Sequence, residues 1–125
     1  MKSRTIIILV ALIAIRIATM EKENFLKSTA VQNFYRNPKY LLVHGRKVFY
    51  KEKLSEINKC TIFIHGFPTF SFDYAEYLEK TPGYTVSFDF VGYGSSEKPK
   101  KDHHFNIAEN ADTLTSVLQQ FTSVK

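Results

Sequence analysis

Two short stretches of this sequence are suited to chemistry done by the backbone. The first is His65-Gly66-Phe67-Pro68, directly behind the apolar run Thr61-Ile62-Phe63-Ile64. A strand that stops in such a tight turn presents a backbone N–H just past its carboxyl end, where open α/β sheets bind ligands. Hydrolysis through a tetrahedral intermediate creates an oxyanion, and dry, pre-set N–H groups aimed at it supply much of the catalysis. The second stretch is Asp89-Phe90-Val91-Gly92-Tyr93-Gly94-Ser95-Ser96-Glu97-Lys98-Pro99, a strand end running into a turn with two glycines. The plain alternative for the first stretch is an ordinary strand-to-helix turn.

Other residue types fit their chemistries less well. Gly92-Tyr93-Gly94-Ser95-Ser96 is not a Gly-x-Ser-x-Gly elbow, because its central residue is Gly94. It is not a dinucleotide fingerprint either, since the third glycine is missing and Glu97-Lys98-Pro99 intervenes. His103-His104 has no acidic or cysteine partner at ligand spacing, so a solvated loop is expected there and no metal. Cys60, the one cysteine, excludes a disulfide framework within the chain and is expected to be a small buried hydrophobe. Phe67, Phe70, Phe72 and Tyr74 would either line an apolar cavity or pack a helix onto the sheet.

In this order and at this separation, the two stretches resemble the front half of an α/β-hydrolase, in its epoxide hydrolase and haloalkane dehalogenase branch. Within it, His65-Gly66-Phe67-Pro68-Thr69 with Ser71 and Asp73-Tyr74, then Asp89-Phe90 and the Gly92-to-Pro99 turn, is similar to the mesoderm-specific transcript homologues. The resemblance runs over residues 38 to 121. It implies that the Phe67 N–H is an oxyanion donor on a turn formed with Gly66 and fixed by Pro68, through a cis bond. It implies that His65, Asp89, Gly92, Gly94 and Ser96 brace the site. The branch uses an aspartate nucleophile, an acid partner and a histidine base, all expected beyond Phe121, so no catalytic residue of that kind is expected in this chain. The resemblance implies no cofactor and, for a full-length form, a small apolar substrate.

The elements that must position these residues can be read from patterning. Tyr40 to Val43 and Lys47 to Lys51 flank His44-Gly45-Arg46 as a hairpin, the glycine supplying a positive φ. Cys60 to Ile64 is a continuous apolar strand of the kind covered on both faces. Thr69 to Lys80 reads as a loop and a helix with Tyr74, Tyr77 and Leu78 on one side, stopped by Thr81-Pro82-Gly83. Tyr84 to Phe90 alternates, so the face of Thr85, Ser87 and Asp89 is expected to be less buried. Asn106 opens a helix with Glu109 three residues on, and Ile107, Ala111, Leu114, Leu118 and Phe121 form its apolar stripe. These elements make the fold class α/β, and the resemblance implies a truncated α/β-hydrolase fold: an N-terminal hairpin followed by β-α-β-α of a mostly parallel sheet. The strand Thr61 to Ile64 would lie at an edge of it.

Three segments are expected: 1–20, 21–37 and 38–125. Lys2 and Arg4 precede an uncharged run from Thr5 to Ile15, broken by Arg16 and resumed by Ile17-Ala18-Thr19-Met20. This reads as a signal peptide or signal-anchor that meets a membrane through residues 5–20, the alternative being a buried core helix. The secretory pathway follows as the location, at the endoplasmic reticulum membrane or, after cleavage, outside the cell. Residues 21–37 read as a membrane-proximal helical segment ended by Asn37-Pro38. The net charge of +5 comes from scattered lysines with no recognition motif, so no nucleic acid partner is expected. The two functional readings are a hydrolase of esters, epoxides or similar small electrophiles, and a non-catalytic binding or interaction module.

Overall fold

The computed structural model describes residues 12–21, 28–100 and 106–122. They fall into two compact units, Met1–Arg36 and Asn37–Lys125. In the first unit, residues 12–21 are helical (α1) and a second helix, α2, covers Thr29–Phe34. Leu12, Ile13, Ile15, Ile17 and Met20 of α1 are each more than half exposed, while Val31 and Phe34 of α2 are buried. Among the described residues no helix is long and apolar enough to cross a membrane.

The second unit is built on a four-stranded sheet: β1 (Lys39–Val43), β2 (Arg46–Lys53), β3 (Cys60–Ile64) and β4 (Tyr84–Phe88). The strand order is β1-β2-β4-β3. β1 pairs antiparallel with β2, and β2 antiparallel with β4. β3 and β4 are parallel, with Ile64 opposite Phe88. The hairpin turn is His44-Gly45, with φ of 49° and 77°. Positive φ at both central residues is the two-residue turn whose twist matches the strands. Between β3 and β4 run a 3-10 turn (Ser71–Tyr74) and helix α3 (Ala75–Lys80). Helix α4 (Ile107–Thr122) opens with the Glu109 N–H donating to Asn106 Oδ1 at 2.9 Å.

The core joins Val43, Val48, Val86, Phe88, Phe90, Val91, Val117 and Phe121. Four expectations need correction against it. First, every residue from Thr85 to Phe90 is buried. The face of Thr85, Ser87 and Asp89 is covered by the Ser71–Tyr74 turn and α3, which pack on β4; Thr85 Oγ1 donates to the Leu78 carbonyl at 2.9 Å and Asp89 Oδ1 accepts the Ser71 N–H. Second, α4 buries Thr113, Val117 and Phe121, while Ile107 and Leu118 are exposed. Its buried face is rotated from the expected stripe to the ridge at i, i+4, i+8, which puts Val117 and Phe121 in the core. Third, Cys60 is exposed. It opens β3 at the edge of the sheet, so β3 is only partly covered along its length rather than on both faces. Fourth, α3 turns Leu78 inward and leaves Tyr77 exposed.

Candidate functional site

Because β3 and β4 are parallel, their carboxyl ends release two turns side by side at one end of the sheet. The turn after β4 is tied down by Asp89, which is fully buried. Its Oδ1 accepts the Ser71 N–H at 2.7 Å and its Oδ2 accepts the Ser95 N–H at 2.8 Å. The Ser96 hydroxyl donates to the Asp89 carbonyl and accepts the Phe49 N–H at 2.8 Å, so one side chain stitches β2 to the turn. The Gly92 N–H donates to the Glu97 carbonyl at 2.8 Å, closing the loop on itself. Gly94 sits at φ 45°, and a Cβ there would stand 2.0 Å from Asp89 Oδ2. Only glycine lets this backbone lie against the carboxylate. Lys98 Nζ caps the Gly94 and Ser96 carbonyls. Burial pulls the Lys98 ammonium below its ordinary pKa, against the pull of the Asp89 charge.

The turn after β3 is held by His65, which is buried. Its Nε2 accepts the Phe90 N–H at 3.0 Å, which leaves Nδ1–H to donate to the Gly66 carbonyl at 2.9 Å. Both ring nitrogens are thereby spent on backbone groups, and the ring lies against Phe90 and Tyr93. The Gly66 carbonyl also accepts the Thr69 N–H and hydroxyl, each at 3.0 Å. The Phe67–Pro68 bond is cis. Among the described residues, the N–H groups of Gly66 and Phe67 have no acceptor. The Phe67 side chain is 84% exposed and meets the Tyr93 ring edge-on. A Cβ at Gly66 would meet no atom within 4 Å, so packing does not require glycine there. What the turn offers is open backbone bearing two unpaired donors.

Of the expected aromatic group, Tyr74 stacks on Phe63 at 5.1 Å, and its hydroxyl donates to the Ile64 carbonyl at 3.0 Å. Tyr74 thus packs the α3 side against β3, and Phe63 and Tyr77 belong to the same cluster. His103-His104 lies outside the described residues. Among the described residues no group of histidine, cysteine, aspartate or glutamate could hold a metal ion.

The opposite end of the sheet carries a larger feature that the sequence did not suggest. Glu52 accepts from Lys39 Nζ at 2.7 Å and from the Tyr84 hydroxyl. Burial alone would raise the Glu52 pKa, but these two donors outweigh it and hold the carboxyl below its ordinary value. Burial first, then the facing carboxylate, pushes the Tyr84 phenol well above its usual range. Burial also raises the Cys60 thiol. A cavity of about 520 Å³ lies beside them, lined in part by Leu54, Ile57, Cys60 and Phe121. Cys60 and Tyr84 are the first residues of β3 and β4. The cavity therefore sits at the amino ends of the parallel strands, away from the end where such sheets bind ligands.

No family model matches the chain. The mesoderm-specific transcript homolog protein of Bos taurus is 31% identical over 100 residues, covering 74% of this chain and 29% of that protein. Among solved structures, a haloalkane dehalogenase loop variant from Bradyrhizobium elkanii matches with a TM-score of 0.60 and 26% identity over 68% of this chain and 28% of its own. A mutant of an epoxide hydrolase from Bacillus megaterium matches with a TM-score of 0.58 and 27% identity, over 66% and 29% of the two chains. The chain spans 29% of the length of the curated relative it matches. With a β1-β2-β4-β3 sheet, its turns at the carboxyl ends of β3 and β4, and these likenesses, the chain belongs to the α/β-hydrolase superfamily, carries part of that fold, and is similar to the mesoderm-specific transcript homologues and to solved structures of the epoxide hydrolase and haloalkane dehalogenase branch.

Proposed function

We propose that this chain carries the oxyanion-holding part of a hydrolase acting on esters, epoxides or similar small apolar electrophiles. The observation behind the reading is the pair of donors at Gly66 and Phe67, unpaired among the described residues, on a turn whose Gly66 carbonyl and His65 ring nitrogens are engaged. Donors fixed in advance cost no reorganisation when charge develops, which is the condition for stabilising a transition-state oxyanion. The names of the structural neighbours, an epoxide hydrolase and a haloalkane dehalogenase, favour small electrophiles.

The reading gives these residues no nucleophile and no base. His65 has both ring nitrogens engaged, and His44 faces Asp112 at 3.8 Å across exposed surface. Neither histidine is bonded to a serine or cysteine among the described residues. The 125-residue chain should therefore not turn over p-nitrophenyl esters or styrene oxide above buffer. Grafting residues 65–69 and 89–98 into the Bacillus megaterium epoxide hydrolase, in place of its matched turns, tests the positive half. Turnover should survive to within about tenfold. A folded chimera slowed by roughly 10²–10³, the cost of a lost oxyanion donor, would overturn the assignment.

The membrane reading is also ours: residues 5–20 tie the chain to a membrane of the secretory pathway. The uncharged run from Thr5 to Ile15 and the exposed Leu12, Ile13, Ile15, Ile17 and Met20 support it. The chain should co-sediment with phosphatidylcholine vesicles, and I13D/I17D should release it. Sedimentation unaffected by the double substitution would count against residues 5–20 as the anchor.

A further inference from the structure

Between the two turns lies a hollow of about 40 Å³, lined by His65, Gly66, Phe67, Phe90, Tyr93 and Asn110. Asn110 reaches it from the first turn of α4. It precedes Thr113, Val117 and Phe121 by three, seven and eleven residues, so the burial of those three brings Asn110 round to the same side of the helix. Its backbone N–H is engaged with the Asn106 carbonyl at 3.2 Å. Its carboxamide has no partner among the described residues, although the residue is half-buried. A carboxamide unpaired within the protein keeps two donors and an acceptor for a ligand. Of the surrounding side chains, His65 is saturated, Phe67 and Phe90 are apolar, and the Tyr93 hydroxyl makes no bond to the carboxamide among the described residues.

We propose that Asn110 is a ligand-binding residue of this site, donating an Nδ2–H to a carbonyl or carboxylate oxygen that the Gly66 and Phe67 N–H groups also hold. The inference rests on the oxyanion reading and extends it by a side-chain donor. The size of the hollow agrees with it. At about 40 Å³ it has room for an oxygen atom of a ligand, since a water molecule needs about 10–15 Å³ of such space. The hydrocarbon part of a ligand would then lie outside, against the exposed Phe67 ring.

The test is an NMR titration of the ¹⁵N-labelled full chain with sodium acetate, at constant ionic strength, up to roughly 0.2 M. The Gly66 and Phe67 amides and the Asn110 side-chain NH₂ should shift together along one isotherm. Asn110→Asp, which replaces two donors with a charged acceptor of the same shape, should weaken binding by about tenfold or more. If Gly66 and Phe67 shift while the Asn110 NH₂ stays still, the role of Asn110 is overturned and the oxyanion reading stands. If none of the three responds, both fail. The side-chain NH₂ of the unaltered chain decides the matter even should the variant not fold.

Discussion

The turns after β3 and β4 leave neighbouring parallel strands at the same end of one sheet, yet they spend their backbone groups in opposite ways. After β4, the buried Asp89 carboxylate, the Ser96 hydroxyl and the Lys98 ammonium consume amides and carbonyls on every side. After β3, one buried imidazole and one threonine fix the Gly66 carbonyl and leave two N–H groups open. The two are mechanically linked, because His65 holds the β3 turn by accepting the Phe90 N–H at the root of the β4 turn. A free donor facing solvent is hydrated and cheap; the same donor on a loose loop would find a partner of its own. The saturated turn thus keeps the open one open.

The contrast can be broken in several places, and the largest effect belongs to Asp89→Ala. It would leave the buried Ser71 and half-buried Ser95 amides without their acceptor, at about 3–5 kcal/mol of stability. Since the chain has no tryptophan, urea unfolding followed by tyrosine fluorescence is the natural measurement. If Asp89→Ala unfolds no more easily than Phe67→Ala, the two turns do not differ as described. Gly94→Ala sets a Cβ against Asp89 Oδ2 in a left-handed backbone, and should cost about 3 kcal/mol. His65→Ala strands the buried Phe90 N–H and should cost about 2 kcal/mol. Its sharper signature is local: amide exchange at Thr69 should quicken while exchange at Ser95 holds, since only the β3 turn loses its brace.

The foot of the sheet supplies a pH test that both turns should survive. The Glu52 carboxyl is held below its ordinary pKa, so its stabilising contribution is complete above the unfolded-state value of about 4.3. That contribution is lost as pH falls through the folded value. Glu52→Gln should therefore flatten part of the stability loss between neutral and acid pH. An unchanged acid limb would mean that the Lys39–Glu52–Tyr84 tie carries no linkage. The smallest effect is Phe67→Ala, expected within about 0.5 kcal/mol of the parent because the ring is almost wholly exposed. A loss of several kcal/mol there would show that the open turn is held by its side chain rather than by His65.

How much was legible beforehand follows from how local each cause is. The His44-Gly45 hairpin and the Asn106 cap depend on neighbours two or three residues away, and both stand where the residue types put them. The polar positions of β4 misled because alternation normally marks one wet face. Thr85 escapes that rule by donating to the Leu78 carbonyl, a partner on α3 that no strand pattern reveals. The face of α4 misled for a similar reason. Ile107 and Leu118 are the more hydrophobic choices, but Thr113 and Val117 fit the sheet.

By itself the sequence determined the turn chemistry: a strand stopping at His65-Gly66, a two-glycine turn after Asp89, and a hairpin whose glycine takes a positive φ. Those follow from which backbone conformations each residue allows, a property of a few adjacent atoms. The tertiary structure alone decided that Cys60 sits on an open edge, that Asp89 reaches both Ser71 and Ser95, and that Asn110 lines the same hollow as the Gly66–Phe67 turn. Each depends on the order of strands and the rotation of a helix, which are set by summed packing over residues far apart in the chain.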